Sequence, residues 1–174
     1  MTYGIDASCQ RNWAARTDDG QFMHAQRTQT AGPVDPSVRI LGSRVHLVSV
    51  ARTVDHIERW INTRDGHCRR VVVTGFHGLW EAHRNPGFKT AVDGAELWAP
   101  DGIAPVWVAR LRGHRGVQRA PGAEILCEFL RRANAKGYSS YFYGDTNHTL
   151  SALGQALGRD YPGHRIAGTL SPPF

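Results

Sequence analysis

Lysine and cysteine are among the scarce residues of this sequence. Cys9, Cys68 and Cys127 are odd in number and share no C-x-x-C spacing, so their pattern suggests neither a disulfide framework nor a zinc site, and a reducing compartment fits it best. Only Lys89 and Lys136 are lysines, so the formal net charge of +6 rests almost wholly on arginine. Such a balance favours anionic partners, whether phosphates, nucleic acid or an acidic membrane surface, and arginine grips phosphate bidentately. A biased genomic base composition accounts for the arginines equally well. No run approaches the roughly 18 apolar residues of a membrane span. The amino-terminus lacks the basic-then-apolar order of a signal peptide, and the chain reads as cytoplasmic. Without G-x-G-x-x-G or G-x-x-x-x-G-K-[ST], nicotinamide dinucleotide binding and P-loop chemistry lose their usual support. A G-x-S-x-G elbow is missing too, which removes the signature of serine hydrolysis. No D-x-D pair is present to hold a cation, and no internal repeat or low-complexity run appears.

At 41% hydrophobic and 21% charged residues, the composition is that of one soluble globular domain with a sizeable core. Residues 1–36 carry little periodicity and read as a flexible leader ending at Gly32-Pro33-Val34-Asp35-Pro36. The domain is then expected over residues 37–174. Val38 to Leu41 and Val45 to Val48 predict two short strands around a Gly42-Ser43 turn. Val50, Val54, Ile57 and Ile61 recur at helical spacing until Asp65-Gly66, and Arg70 to Thr74 predicts a strand buried on both faces. Phe76 to Arg84 and Phe88 to Val92 follow as helices. Leu97 to Ala99, Pro100-Asp101-Gly102 and the apolar positions Ile103, Val106, Trp107 and Leu111 then predict strand, tight turn and helix. Glu124 to Ala135 is a helix stopped by Gly137, Tyr138 to Tyr143 a strand, Leu150 to Leu157 a helix, and Arg165 to Ala167 a last strand before a Gly168-Thr169 turn. This alternation predicts an α/β fold, a Rossmann-like, mostly parallel sheet with helices on both faces.

In such a sheet, ligands bind beyond the carboxyl ends of the strands. Thr74, Asp101, the Gly144-Asp145-Thr146 turn and the Gly168-Thr169 turn all fall there. Asp101 is a candidate base, with a turn-forming Asp-Gly pair as the plain alternative. The Gly144 turn opens a helix whose free N–H groups and dipole suit a diphosphate, although an ordinary N-cap by Asp145 or Thr146 explains the same residues. His77 and His83 lack the i, i+4 spacing of metal ligands, and no metal site is expected. Trp80, Trp98 and Trp107 read as core. Arg110, Arg112, Arg115 and Arg119 suit a diphosphate or a solvated basic face. The residues by themselves lead to a nucleotide or phosphate site.

Several blocks add a resemblance. Thr74, Glu81-Ala82-His83-Arg84-Asn85-Pro86-Gly87-Phe88, Ala99-Pro100-Asp101-Gly102-Ile103 with Val106-Trp107, Arg119-Ala120-Pro121-Gly122-Ala123-Glu124, Tyr141-Phe142-Tyr143-Gly144, Tyr161-Pro162-Gly163, Ile166-Ala167-Gly168-Thr169 and Ser171-Pro172-Pro173-Phe174 stand in that order. Over about Ile40 to Phe174 the chain resembles the WecG/TagA/CpsF glycosyltransferases. The resemblance implies an inverting transferase that moves N-acetylmannosamine, or a related sugar, from a UDP-sugar to a polyprenyl-diphosphate-linked acceptor in cell-surface polysaccharide or teichoic acid synthesis. It implies no cofactor and no nucleic acid partner, places the protein in peripheral contact with the inner face of the cell membrane, and leaves room for a homo-oligomer. Asp101 matches the general base, Thr74 a pocket threonine near the donor, Arg119 and Gly122 an Arg-x-x-Gly block, and Gly144 the hold on the sugar nucleotide. Many members carry Asn two residues after the threonine, where this chain has Phe76. The family also continues past Ser-Pro-Pro-Phe into further strands, a glycine-rich loop and a basic tail, so the carboxyl-terminal part of its fold is expected to be missing here and apolar surface to be left open. A non-catalytic remnant or nucleotide-binding module is the competing expectation.

Overall fold

The computed structural model describes residues 35–173, so residues 1–34 of the expected leader lie outside the described residues. Asp35, at the end of that stretch, accepts hydrogen bonds from Arg52 (2.9 Å) and from His56, and the Pro36 carbonyl accepts from the Leu47 amide at 2.7 Å. The first strands, β1 (Ser37–Ile40) and β2 (Ser43–His46), form an antiparallel hairpin. Its two-residue turn is Leu41-Gly42, one position earlier than expected. Both residues have positive φ, 50° and 86°, the mirror-image turn whose twist matches that of the flanking strands. Ser43 thereby becomes the first residue of β2 and is fully buried.

Ser49 caps α1 (Val50–Thr63) by accepting from the Arg52 amide, and Arg64 closes it in the left-handed region. Then come β3 (Val71–Thr74), α2 (Phe76–Arg84), α3 (Pro86–Asp93), β4 (Leu97–Pro100), α4 (Ile103–Leu111), α5 (Gly122–Lys136), β5 (Ser139–Tyr143), α6 (Asn147–Asp160) and β6 (Arg165–Leu170). The α/β alternation is as expected, but among the described residues the strands form three two-stranded ladders rather than one sheet. β3 pairs with β4, and β5 with β6, both in parallel. Where β2 runs beside β4, a side chain replaces the ladder, because His46 Nδ1 accepts the Trp98 amide at 3.0 Å.

β4 is buried at all four positions. Trp98 faces a cluster built from the hairpin, α2 and α4, while Leu97 and Ala99 face a second cluster shared with α1 and α5, the alternation a strand covered on both faces requires. The third cluster joins Leu130 of α5 to Phe142, Leu150 and Leu157. α5 is therefore the wall common to both parallel pairs. β3 is only half-buried along its length, which corrects the expectation of a strand buried on both faces: its pairing is with β4 alone. Trp98 is core as expected, but Trp80 and Trp107 are exposed. The buried stripe of α4 is Pro105, Val106 and Ala109, and Trp107, one residue and about 100° further round, turns outward with Ile103 and Leu111. Cys127 is an exposed free thiol. Cys68 is disulfide-bonded, which the cysteine spacing did not suggest.

α1 and α5 are tied by charge as well as by packing. Arg132 donates to Asp55 (2.7 Å), Glu58 (2.9 Å) and Glu128 (2.6 Å), and Lys136 donates to Glu58 (2.6 Å). Hydrogen bonds from Arg131 and then Arg132 bring Glu128 from 4.5 down to about 2. Burial alone would raise Glu58, but Lys136 and Arg132 outweigh it and hold it below its ordinary value. A carboxyl depressed in the folded state stabilises the fold fully above its unfolded pKa, and that contribution disappears as pH falls through the folded one. The melting temperature should therefore fall as pH drops from 4.5 towards about 2. In Arg132→Gln the same scan should show a shallower slope.

Candidate functional site

Two parallel strands ending together make the first edge. Thr74 is the last residue of β3 and pairs with Pro100, the last of β4, and the Asp101 amide donates to the Thr74 carbonyl at 3.2 Å. Thr74 and Asp101 are thus neighbours on the carboxyl edge, both half-exposed. The Asp101 carboxylate has no hydrogen bond or ion pair among the described residues, which leaves both oxygens open to a ligand hydroxyl.

Gly75 and Gly78, to which the sequence reading gave no role, and Gly102, read there as part of a turn, make this approach possible. A Cβ on Gly75, the N-cap of α2, would lie 2.7 Å from the Asp101 carbonyl oxygen. One on Gly78 would lie 2.1 Å from Thr74 Oγ1. Gly102, the N-cap of α4, has φ of 89°, a conformation that favours glycine. The only sequence signal for Gly75 and Gly78 was their position near Thr74 and Asp101.

The Arg119 to Gly122 block reaches the same edge. The Ala120 amide donates to the Pro100 carbonyl at 2.8 Å, and a Cβ on Gly122 would touch Val73 at 3.5 Å. Arg119 is exposed and has no carboxylate partner among the described residues. Gly122 begins α5 behind Pro121, which offers no side-chain cap, so the first N–H groups of this 15-residue helix stay open and carry its positive dipole end. Thr74, Asp101, Arg119 and Gly122 are brought together.

Gly144, Asp145, Thr146 and Gly168 lie on the other parallel pair. Gly144, with φ of 126°, donates its amide to the Leu170 carbonyl at 3.0 Å. The α6 terminus is partly occupied by its own side chains: Asp145 accepts from the Thr146 amide at 2.6 Å, and Thr146 Oγ1 accepts from the Thr149 amide at 3.2 Å. Backbone and side-chain hydrogen bonds from Thr146 and Thr149 hold the exposed Asp145 carboxyl below its usual value. Gly168 is not in a turn as expected. β6 runs on to Leu170 and pairs Gly168 with Tyr141 just after a register shift, where a Cβ would strike the Tyr141 ring at 2.6 Å. His77 and His83 are exposed on α2, His83 against Trp80.

Comparison with known proteins agrees with the blocks around this edge. The model of the glycosyl transferase WecG/TagA/CpsF family matches residues 38–174. The chain belongs to that family. Among curated proteins it is similar to an N-acetylglucosaminyldiphosphoundecaprenol N-acetyl-beta-D-mannosaminyltransferase of Bacillus spizizenii (strain W23), at 33% identity over 89 residues, 51% of this chain and 35% of the relative. It is also similar to the enzyme of the same name from Bacillus subtilis (strain 168), at 32% over 69 residues, 40% of this chain and 27% of the relative. Its matches span about a third of these relatives' length.

The edge makes a stability prediction that is independent of activity. Gly75→Ala drives a Cβ against backbone that cannot swing away, and overpacking of this kind costs about 1–3 kcal/mol. Gly122→Ala meets only an ordinary contact with Val73 and should stay within about 0.5 kcal/mol of the parent. Urea unfolding followed by circular dichroism separates the two.

Proposed function

We propose that this chain carries the catalytic base of an inverting glycosyltransferase that moves N-acetylmannosamine, or a related sugar, from a UDP-sugar to a polyprenyl-diphosphate-linked acceptor. One observation carries the reading: a carboxylate with no partner among the described residues, Asp101, at the end of a buried strand, beside Thr74 and beside the uncapped start of α5. Family membership and the names of the relatives support it. Asp101 takes the proton from the acceptor hydroxyl as that oxygen attacks the anomeric carbon, and the UDP diphosphate leaves from the opposite face. A base within hydrogen-bond reach of the attacking hydroxyl contributes about a hundredfold or more to the rate.

The leaving diphosphate needs positive charge and N–H donors. Arg119 and the first turn of α5 supply both next to Asp101, and we assign the diphosphate to them. Gly144, Asp145, Thr146 and Gly168 remain the alternative hold on the nucleotide. One feature counts against them: the Thr149 amide in the first turn of α6 is already engaged by Thr146 Oγ1, whereas no side chain caps α5. The lipid-linked acceptor places a membrane nearby. Among the described residues no helix is long and apolar enough to cross one. The exposed stripe Ile103, Trp107 and Leu111 on α4, with Arg110, Arg112 and Arg115 around its end, is the face we assign to peripheral membrane contact. None of these arginines forms an ion pair among the described residues.

Asp101→Asn should lower transfer from the UDP-sugar by about a hundredfold or more while leaving the dissociation constant of UDP unchanged. An unaltered rate would remove Asp101 from the mechanism. With no D-x-D pair in the sequence, UDP affinity measured by calorimetry should be the same with and without EDTA. Arg119→Gln should weaken it about tenfold, the scale of one charge-assisted phosphate contact.

A further inference from the structure

A second, separate place collects hydrogen-bond donors. A cavity of about 280 Å³ opens between the hairpin and the end of α3, lined by Arg39, Arg44, His46, Asp93 and Trp98 among others. Trp98 stands three residues before Asp101 along β4, roughly 10 Å away at the rise of an extended chain, so this cavity is not the carboxyl edge described above.

Its charges are arranged in a way that a folded chain alone does not favour. Arg39 and Arg44 are direct cross-strand partners on the exposed face of the hairpin, and like charges placed opposite each other destabilise a ladder. Neither has a carboxylate partner among the described residues; the Arg39 guanidinium reaches only the Gly42 carbonyl, at 3.3 Å. Asp93, the acid in the lining, is already neutralised by Lys89. His46 uses Nδ1 to accept the Trp98 amide, so its neutral ring carries the proton on Nε2 and offers a further donor. The Trp98 indole Nε1 is buried without a hydrogen-bond partner among the described residues, where nearly all buried polar groups have one. Two guanidiniums and an imidazole N–H thus belong to the residues around one small cavity, with no uncompensated acid among them.

We propose that this cavity is a binding site for a phosphate-type anion, either free phosphate or the phosphomonoester head of a lipid, seated between Arg39 and Arg44. Its volume of about 280 Å³ leaves room for a phosphate group. The proposal does not depend on the glycosyltransferase reading.

The test uses the full 174-residue chain at constant ionic strength. Inorganic phosphate is titrated by calorimetry, and in parallel the chain is sedimented with vesicles of phosphatidylcholine alone or of equal parts phosphatidylcholine and phosphatidic acid. Saturable phosphate binding, or retention on the phosphatidic acid vesicles only, supports the site when it weakens by about tenfold or more in the Arg39→Gln/Arg44→Gln variant. Circular dichroism checks that the double variant is folded. Saturation in the phosphate arm identifies free phosphate as a ligand, and retention without it identifies the lipid head. No binding in either arm, or binding that the double variant retains, overturns the proposal.

Discussion

One backbone hydrogen bond, from the Asp101 amide to the Thr74 carbonyl at 3.2 Å, sets the spacing on which the candidate site depends. It extends the β3–β4 ladder one step beyond the last strand residues and fixes a threonine and a carboxylate side by side. The approach holds only because Gly75 and Gly78 have no side chains there: at either position a Cβ would fall inside van der Waals contact with Asp101 or Thr74. The glycines thus act through what they leave empty. Gly102 adds the positive φ that turns the chain from β4 into α4 within two residues.

α5 connects stability to the site. One side, Ile125, Phe129 and Ala133, closes the cluster beneath β4, and Leu130 belongs to the cluster beneath β5 and α6, while Arg132 and Lys136 bind it to α1. Its amino-terminus is left uncapped where it meets β3. A helix anchored along its length and open at one end keeps its first N–H groups in place without satisfying them, and this is the condition under which a helix terminus binds an anion.

Much of this was legible in the sequence. The spacing of Val50, Val54 and Ile57, the β-branched run at Val71 and the Pro-Asp-Gly break predicted α1, β3 and the β4–α4 turn to within a residue or two, because each is governed by local periodicity and turn chemistry. Strand-end logic placed Thr74 and Asp101 together. What failed was set by neighbours distant in the chain. Trp107 has the spacing of a core residue, yet the side of α4 that meets the hairpin is the one bearing Val106 and Ala109. The break between β2 and β4 comes from His46 accepting a backbone amide 52 positions away, and no local pattern announces it. Gly168 read as a turn because glycine so often is one, whereas the ring of Tyr141 takes the space its missing side chain leaves.

The central claim is that the Thr74–Asp101 edge, with Arg119 and the start of α5, receives the nucleotide diphosphate. The most direct measurement is a titration of the isotope-labelled chain with UDP, followed through backbone amide resonances. The account predicts the largest shifts at Gly75, Asp101, Ala120 and Gly122, with the amides of Asp145, Thr146 and Thr149 little changed. Shifts concentrated at the start of α6, with the β3–β4 edge silent, would contradict it.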